Sequence, residues 1–252
     1  MYLWAAHSVL EDVHEAPSRA DYDRFGRVSN LAKQTVFGFV LLAVILGIAL
    51  FGAAGRLDYW QAWVYLVVFM GSSALITVYL WRESPQLLAR RVNAGPTAEK
   101  QRSQQVIQLV ASVAFLGCLV VPGLDHRVGW SNVPTYVVVL GDILAGVGFL
   151  IVFLVFKQNA FTAATIEVAA DQKVISSGPY AIVRHPMYAG ALVLLFGTAL
   201  ALGSWWGLVP FVVMTLTIAA RLLDEEGFLT KNLAGYADYC QRVRYRLVPF
   251  VW

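Results

Sequence analysis

The chain of 252 residues is 58% hydrophobic and only 14% charged, with a mean hydropathy of +0.62, which excludes an ordinary soluble domain and points to an integral membrane protein. Its formal net charge of +3 does not make it a nucleic-acid binder, because the basic residues are distributed by membrane side rather than gathered in one motif. Cys118 lies in an apolar run and Cys240 in a polar tail, so neither a disulfide nor a metal site is expected.

Residues 1–34 place Glu11, Asp12, Glu15 and Asp21 ahead of any long apolar run, unlike a secretory signal, and are expected to form a cytosolic arm. Apolar runs near 35–54, 59–81, 105–124 and 134–156 then predict a four-span region over 35–156, each run about long enough for a ~30 Å hydrocarbon core. Between the second and third, the stretch from Arg82 to Gln104 carries Arg82, Arg90, Arg91, Lys100 and Arg102. It reads as a topology-setting loop facing lipid headgroups, without chemistry. Asp125, His126 and Arg127 read as a short solvated loop on the opposite side.

The next apolar run, 187–222, would make a helix of roughly 54 Å, far too long for one crossing. Gly203, Ser204, Trp205, Trp206, Gly207 and Pro210 supply breakers and interfacial aromatics near its middle, so two short helices joined as a hairpin are predicted. Six crossings put all 19 Lys and Arg residues except Arg56 and Arg127 on one side, which predicts cytosolic N- and C-termini. The expected fold is therefore all-α and multi-pass, with about six transmembrane helices, the last two a short hairpin. Residues 157–252 then hold a cytosolic loop, the hairpin and the C-terminal tail.

Polar chemistry concentrates at the mouth of that hairpin. The segment GPYAIVRHPMYAG, residues 178–190, joins a Gly-Pro turn to Tyr180, Arg184, His185, Pro186 and Tyr188. A structural account is available: Arg184 can reach headgroups, Pro186 suits a first helical turn, and the tyrosines suit a membrane interface. The far leg returns at RLLDEEGF, residues 221–228, where Arg221 and Glu225 are four apart and share a helix face. Asp224, Glu225 and Glu226 would be disfavoured at a helix C-terminus, so either the helix runs on or the acids have cationic partners. Since both legs of a hairpin end on one side, His185 and Tyr188 are expected near Arg221 and Glu225, where a polar cofactor enters from water and an apolar substrate from lipid.

These segments, with the tail GYADYCQRVRYRLVPF, resemble the isoprenylcysteine carboxyl methyltransferase family and its bacterial relatives over about residues 157–252, with weaker kinship to phospholipid N-methyltransferases. The resemblance implies an S-adenosylmethionine-dependent methyltransferase without the soluble Rossmann fold, acting on a lipophilic or lipidated acceptor, with residues 157–252 as its catalytic region and the cytosolic loop and C-terminal helix forming the cofactor site. By motif it implies that Gln172, Lys173, Val174, Ile175, Tyr180, His185, Pro186, Met187 and Tyr188 line the cofactor, that Glu225 holds one of its polar groups and that Arg221 holds the substrate. A carboxylate acceptor would need no general base, whereas an amine or thiol would call on His185 or Glu226. A sterol-type reductase using NADPH shares an Arg-His and Tyr-x-Gly arrangement. It would need extra basic residues for the cofactor's phosphates, and the acidic segment Asp224-Glu225-Glu226 fits it less well. A transporter or assembly factor would need intramembrane ionisable groups, and Asp142 stands as the one clear case within the predicted spans.

Overall fold

The computed structural model describes residues 19–92, 102–159, 161 and 173–252, with side chains from residue 30 onward and that of Val92 left out; Gln172 lies outside the described residues. Every regular element among them is helical. In chain order these are α1 (Arg19–Gly47) with a π-helical extension (Ile48–Gly52), α2 (Trp60–Glu83), α3 (Pro85–Val92), α4 (Arg102–Val128), α5 (Thr135–Gln158), a 3-10 turn (Gly178–Ala181), α6 (Pro186–Ala201), α7 (Leu208–Asn232) and α8 (Tyr236–Arg242). The chain divides into two compact units, Met1–Leu41 and Leu42–Trp252. Within the first, the described residues belong to α1. The second carries the hairpin and the candidate site described below.

Four helical stretches are long and apolar enough to cross a membrane: Asn30–Gly52, Trp60–Glu83, Arg102–Val128 and Thr135–Gln158. Many of their large apolar side chains are exposed, Val67, Leu75, Val113 and Ile143 among them, as lipid-facing helices require. The fifth apolar helix, α6, has 16 residues and is about 24 Å long. The protein is thus an all-α integral membrane protein whose α6 and α7 form a hairpin with one short leg and one of 25 residues.

Glycines set the position of α6. A Cβ on Gly148 of α5 would lie 2.5 Å from the Leu194 backbone nitrogen of α6, and one on Gly141 would lie 2.2 Å from that of Ala201. Reciprocally, a Cβ on Gly197 would meet the Ala145 nitrogen at 2.7 Å. The pairing order, 141 with 201 and 148 with 194, makes the helices antiparallel with their backbones in direct contact, the arrangement that small residues permit where lipid offers no hydrophobic drive.

The hairpin turn is held at its tip. Gly203 takes the left-handed conformation at φ +68° that glycine adopts without strain. Next to it the buried Ser204 hydroxyl donates to Asp125 and accepts from the Gly207 amide at 3.0 Å. Asp125 also accepts from the Ser131 amide at 2.7 Å and from its hydroxyl at 2.5 Å. The expectation of a solvated Asp125-His126-Arg127 loop is therefore corrected. These residues form the last turn of α4, Asp125 is only 2% exposed, and His126 stacks on Tyr59 with centroids 4.1 Å apart. The physical reason is satisfaction of buried donors: the turn's hydroxyls need an acceptor, and a carboxylate provides one.

Candidate active site

At the other end of the hairpin, α6 begins with His185 as N-cap and Pro186 in the first turn, where a missing N–H loses nothing. The tail runs alongside: the Arg184 amide donates to the Tyr245 carbonyl at 2.9 Å and the His185 amide to the Arg246 carbonyl at 3.0 Å. The Tyr239 hydroxyl of α8 donates to the Tyr180 carbonyl at 2.8 Å, and Asn159 donates to the Tyr180 hydroxyl at 3.0 Å. Loop, hairpin and tail are thereby fixed to one another.

The helix α7 runs on past its apolar part to Asn232, so the acids at 224–226 sit within a helix and not at its end. They also have partners. Glu225 accepts from the Tyr188 hydroxyl at 2.6 Å, and the same oxygen of Tyr188 accepts from Arg221 Nε at 3.1 Å. Tyr188 thus bridges the acid and the arginine that the sequence placed on one face. Glu226 turns the other way, into a buried cluster with Arg246 Nε at 2.8 Å, His185 Nε2 at 3.2 Å and Arg184 Nε at 3.1 Å. The Arg184 approach lacks hydrogen-bond alignment, so charge couples that pair and not direction. Burial works to raise the Glu226 carboxyl, but hydrogen bonds from His185 and Arg246 and the charges of His185 and Arg184 hold it below its ordinary value.

That direction sets a pH dependence. The carboxylate's stabilising contribution is present above the ordinary glutamate pKa of 4.5 and is lost as pH falls through the lower folded-state value. Thermal unfolding in detergent should therefore show wild-type protein losing stability below about pH 4.5, with Glu226→Gln destabilised at neutral pH and nearly insensitive to acid.

Between these elements lies a cavity of about 570 Å³. Lys173, Val174, Ile175, Tyr180, His185, Pro186, Met187, Tyr188, Arg221 and Glu225 all line it, so the structure brings together every expected site residue that is described. Glu226 does not line it. Sequence reasoning missed three lining residues, Arg91, Tyr236 and Tyr239, and Gln104, which does not line the cavity but holds Arg221. Arg91 of α3 reaches the cavity with its guanidinium 4.7 Å from the Phe156 ring centroid and an N–H 3.7 Å from Met187 Sδ. Tyr236 and Tyr239 line the cavity from α8; their spacing in GYADYC placed them on one helix face and was the available signal.

The donor set suits a zwitterionic sulfonium nucleoside. Glu225 can meet an ammonium or ribose hydroxyl, the aromatic faces of Tyr180, Tyr188 and Tyr236 can flank a cation, and the cations Arg91 and Lys173 share the lining. Burial pushes the Tyr180 phenol up to about 12, so it stays neutral at physiological pH. The buried Tyr236 hydroxyl has no hydrogen-bond partner among the described residues, which a bound polar molecule would supply. Along α7 the lining residues are ordered Met214, Ile218, Arg221, Glu225 and, beyond the polar pair, Leu229. Leu195 of α6 joins Met214 and Ile218 in an apolar cluster, so one end of the cavity is apolar and the other polar, with Arg221 between.

Residues 136–235 match the family described as phospholipid methyltransferase. The chain is 29% identical over 149 residues to protein-S-isoprenylcysteine O-methyltransferase B of Arabidopsis thaliana, across 58% of this chain and 70% of that protein. A probable protein-S-isoprenylcysteine O-methyltransferase of Oryza sativa subsp. indica is 26% identical over 201 residues, 76% of this chain and 97% of the relative. The delta(14)-sterol reductase of Mus musculus is 33% identical over 91 residues, which is 35% of this chain but 22% of the reductase. Fold, cavity and similarity together define an integral membrane methyltransferase, a class that works with a methyl donor. Within that class the named methyltransferases to which the chain is similar are protein-S-isoprenylcysteine O-methyltransferases, at 26–29% identity.

Proposed function

We propose that this protein transfers a methyl group from S-adenosylmethionine to the carboxylate of a lipophilic acceptor of the isoprenylcysteine kind, at a cytosolic membrane boundary. The observation that carries this reading is the order of groups along α7, apolar Met214 and Ile218, then cationic Arg221, then acidic Glu225, all lining one cavity. When bound, S-adenosylmethionine supplies an electrophilic methyl group on a positive sulfur. Glu225 binds the donor's ammonium or ribose, and Tyr180 and Tyr188 offer aromatic faces to its cation. Lys173, Val174, Ile175, Pro186 and Met187 contribute walls of the donor end. Leu195, Met214 and Ile218 receive the acceptor's chain, and Arg221 orients its carboxylate for in-line attack, a positioning effect. His185 is held by Glu226 at 3.2 Å and stacks on Tyr188 with centroids 5.7 Å apart, so it orients that tyrosine. A carboxylate attacks without losing a proton, so no general base is needed. The distribution of Lys and Arg supports cytosolic termini, with the cavity on their side.

The segment shared with the sterol reductase favours a second reading, a nicotinamide-dependent reductase. The lining cations Arg91, Lys173, Arg184 and Arg221 could meet a phosphate, so this reading ranks second on coverage, since the match spans 35% of this chain and 22% of the reductase.

Arg221→Ala separates acceptor from donor. Radiolabelled methyl transfer to S-farnesylcysteine should fall about 10- to 100-fold in kcat/KM, the scale of a lost charged hydrogen bond. S-adenosylhomocysteine affinity should stay within about threefold on the same scale. The opposite pattern would assign Arg221 to the donor.

A further inference from the structure

Gln104, near the start of α4, is fully buried at 0% exposure. Burying an amide is unfavourable unless both its halves are engaged, and here they are. Its carbonyl accepts from Arg221 Nη1 at 3.0 Å, while its NH₂ donates to Asp224 Oδ2, which Ser103 also approaches at 3.4 Å. The amide orientation follows from its neighbours, because a guanidinium only donates and a carboxylate only accepts. Asp224 anchors the amide, the amide carbonyl takes one guanidinium N–H, and Tyr188 takes Nε. Both of these acceptors on Arg221 are neutral.

We infer that Gln104 is a positioning residue for the acceptor: interposed between Asp224 and Arg221, it fixes the plane of the guanidinium through a contact that adds no negative charge of its own beside an anionic substrate. A carboxylate in its place would lie in contact with Arg221 and cancel the charge that selects the acceptor. A hydrocarbon there would leave Asp224 and Arg221 without their shared link. This role rests on the proposed methyl transfer to a carboxylate and adds to it a residue from the loop-proximal end of α4, outside the matched catalytic segment.

The test uses full-length wild type, Gln104→Glu, and Gln104→Glu combined with Asp224→Asn, which removes the repulsion between two adjacent carboxylates should the single variant fail to fold. KM and kcat are measured for S-farnesylcysteine and for palmitate, together with S-adenosylhomocysteine affinity and the thermal midpoint. The folded variant should raise KM about 10- to 100-fold for the carboxylate that wild type methylates, with kcat and S-adenosylhomocysteine affinity within about threefold. A folded double variant with unchanged KM overturns the role of Gln104 alone, as does a loss shared equally by KM, kcat and S-adenosylhomocysteine affinity, which marks a structural residue. Wild type that binds S-adenosylhomocysteine but methylates neither carboxylate overturns the inference while sparing the donor site. Wild type that binds no S-adenosylhomocysteine removes the proposed function and this inference with it.

Discussion

Gly148→Ala is expected to lower the thermal midpoint of the purified protein by roughly 5–10 °C, corresponding to about 1–3 kcal/mol of overpacking. The added Cβ would stand 2.5 Å from the Leu194 nitrogen and 2.7 Å from the Gly190 carbonyl oxygen. Both are backbone atoms of α6, which cannot rotate away, so the helices must separate. Because α6 carries His185, Met187 and Tyr188 into the cavity, the separation should weaken binding of S-adenosylhomocysteine as well as stability. Gly146, two residues away on α5, is the internal control, since a Cβ there meets nothing within 4 Å. Gly146→Ala should be neutral or raise the midpoint slightly, as alanine is favoured over glycine in a helix by about 0.5–1 kcal/mol. Equal effects at the two positions would mean that the α5–α6 contact does not set the site.

Much of this architecture was legible from apolar runs. The spans expected at 35–54, 59–81, 105–124 and 134–156 appear as helical runs Asn30–Gly52, Trp60–Glu83, Arg102–Val128 and Thr135–Gln158. The breakers at Gly203 and Ser204 mark the hairpin turn, and the convergence of His185, Tyr188, Arg221 and Glu225 follows from that reversal. What escaped depends on rotation and on distant chain. Glu225 and Glu226 are adjacent in sequence but about 100° apart around a helix, so only the position of the cavity decides which acid faces it and which is buried with Arg184 and Arg246. Arg91 carried no local signal, because a basic headgroup-facing segment and a cavity-lining one have the same composition, and Gln104 carried none because its partners Asp224 and Arg221 lie about 120 residues away. Asp125 looked solvated because its partners, Ser131 and Ser204, lie in other segments.

Glu225→Ala is expected to weaken S-adenosylhomocysteine binding about 10- to 100-fold, the range for removing a charged hydrogen-bond partner. The variant also strips Tyr188 of its 2.6 Å acceptor, so the tyrosine's face toward the donor loses its orientation while Arg221 keeps its link to Gln104. Glu225→Gln retains a hydrogen-bond acceptor without charge and should fall between the two. The measurement that tests the account most directly is a calorimetric titration of S-adenosylhomocysteine, and separately of NADPH, into detergent-purified wild type and Glu225→Ala. The account predicts saturable binding of S-adenosylhomocysteine to wild type, weakened in the variant, and no binding of NADPH to either. Saturable NADPH binding with none of S-adenosylhomocysteine, or S-adenosylhomocysteine affinity indifferent to Glu225, would contradict it.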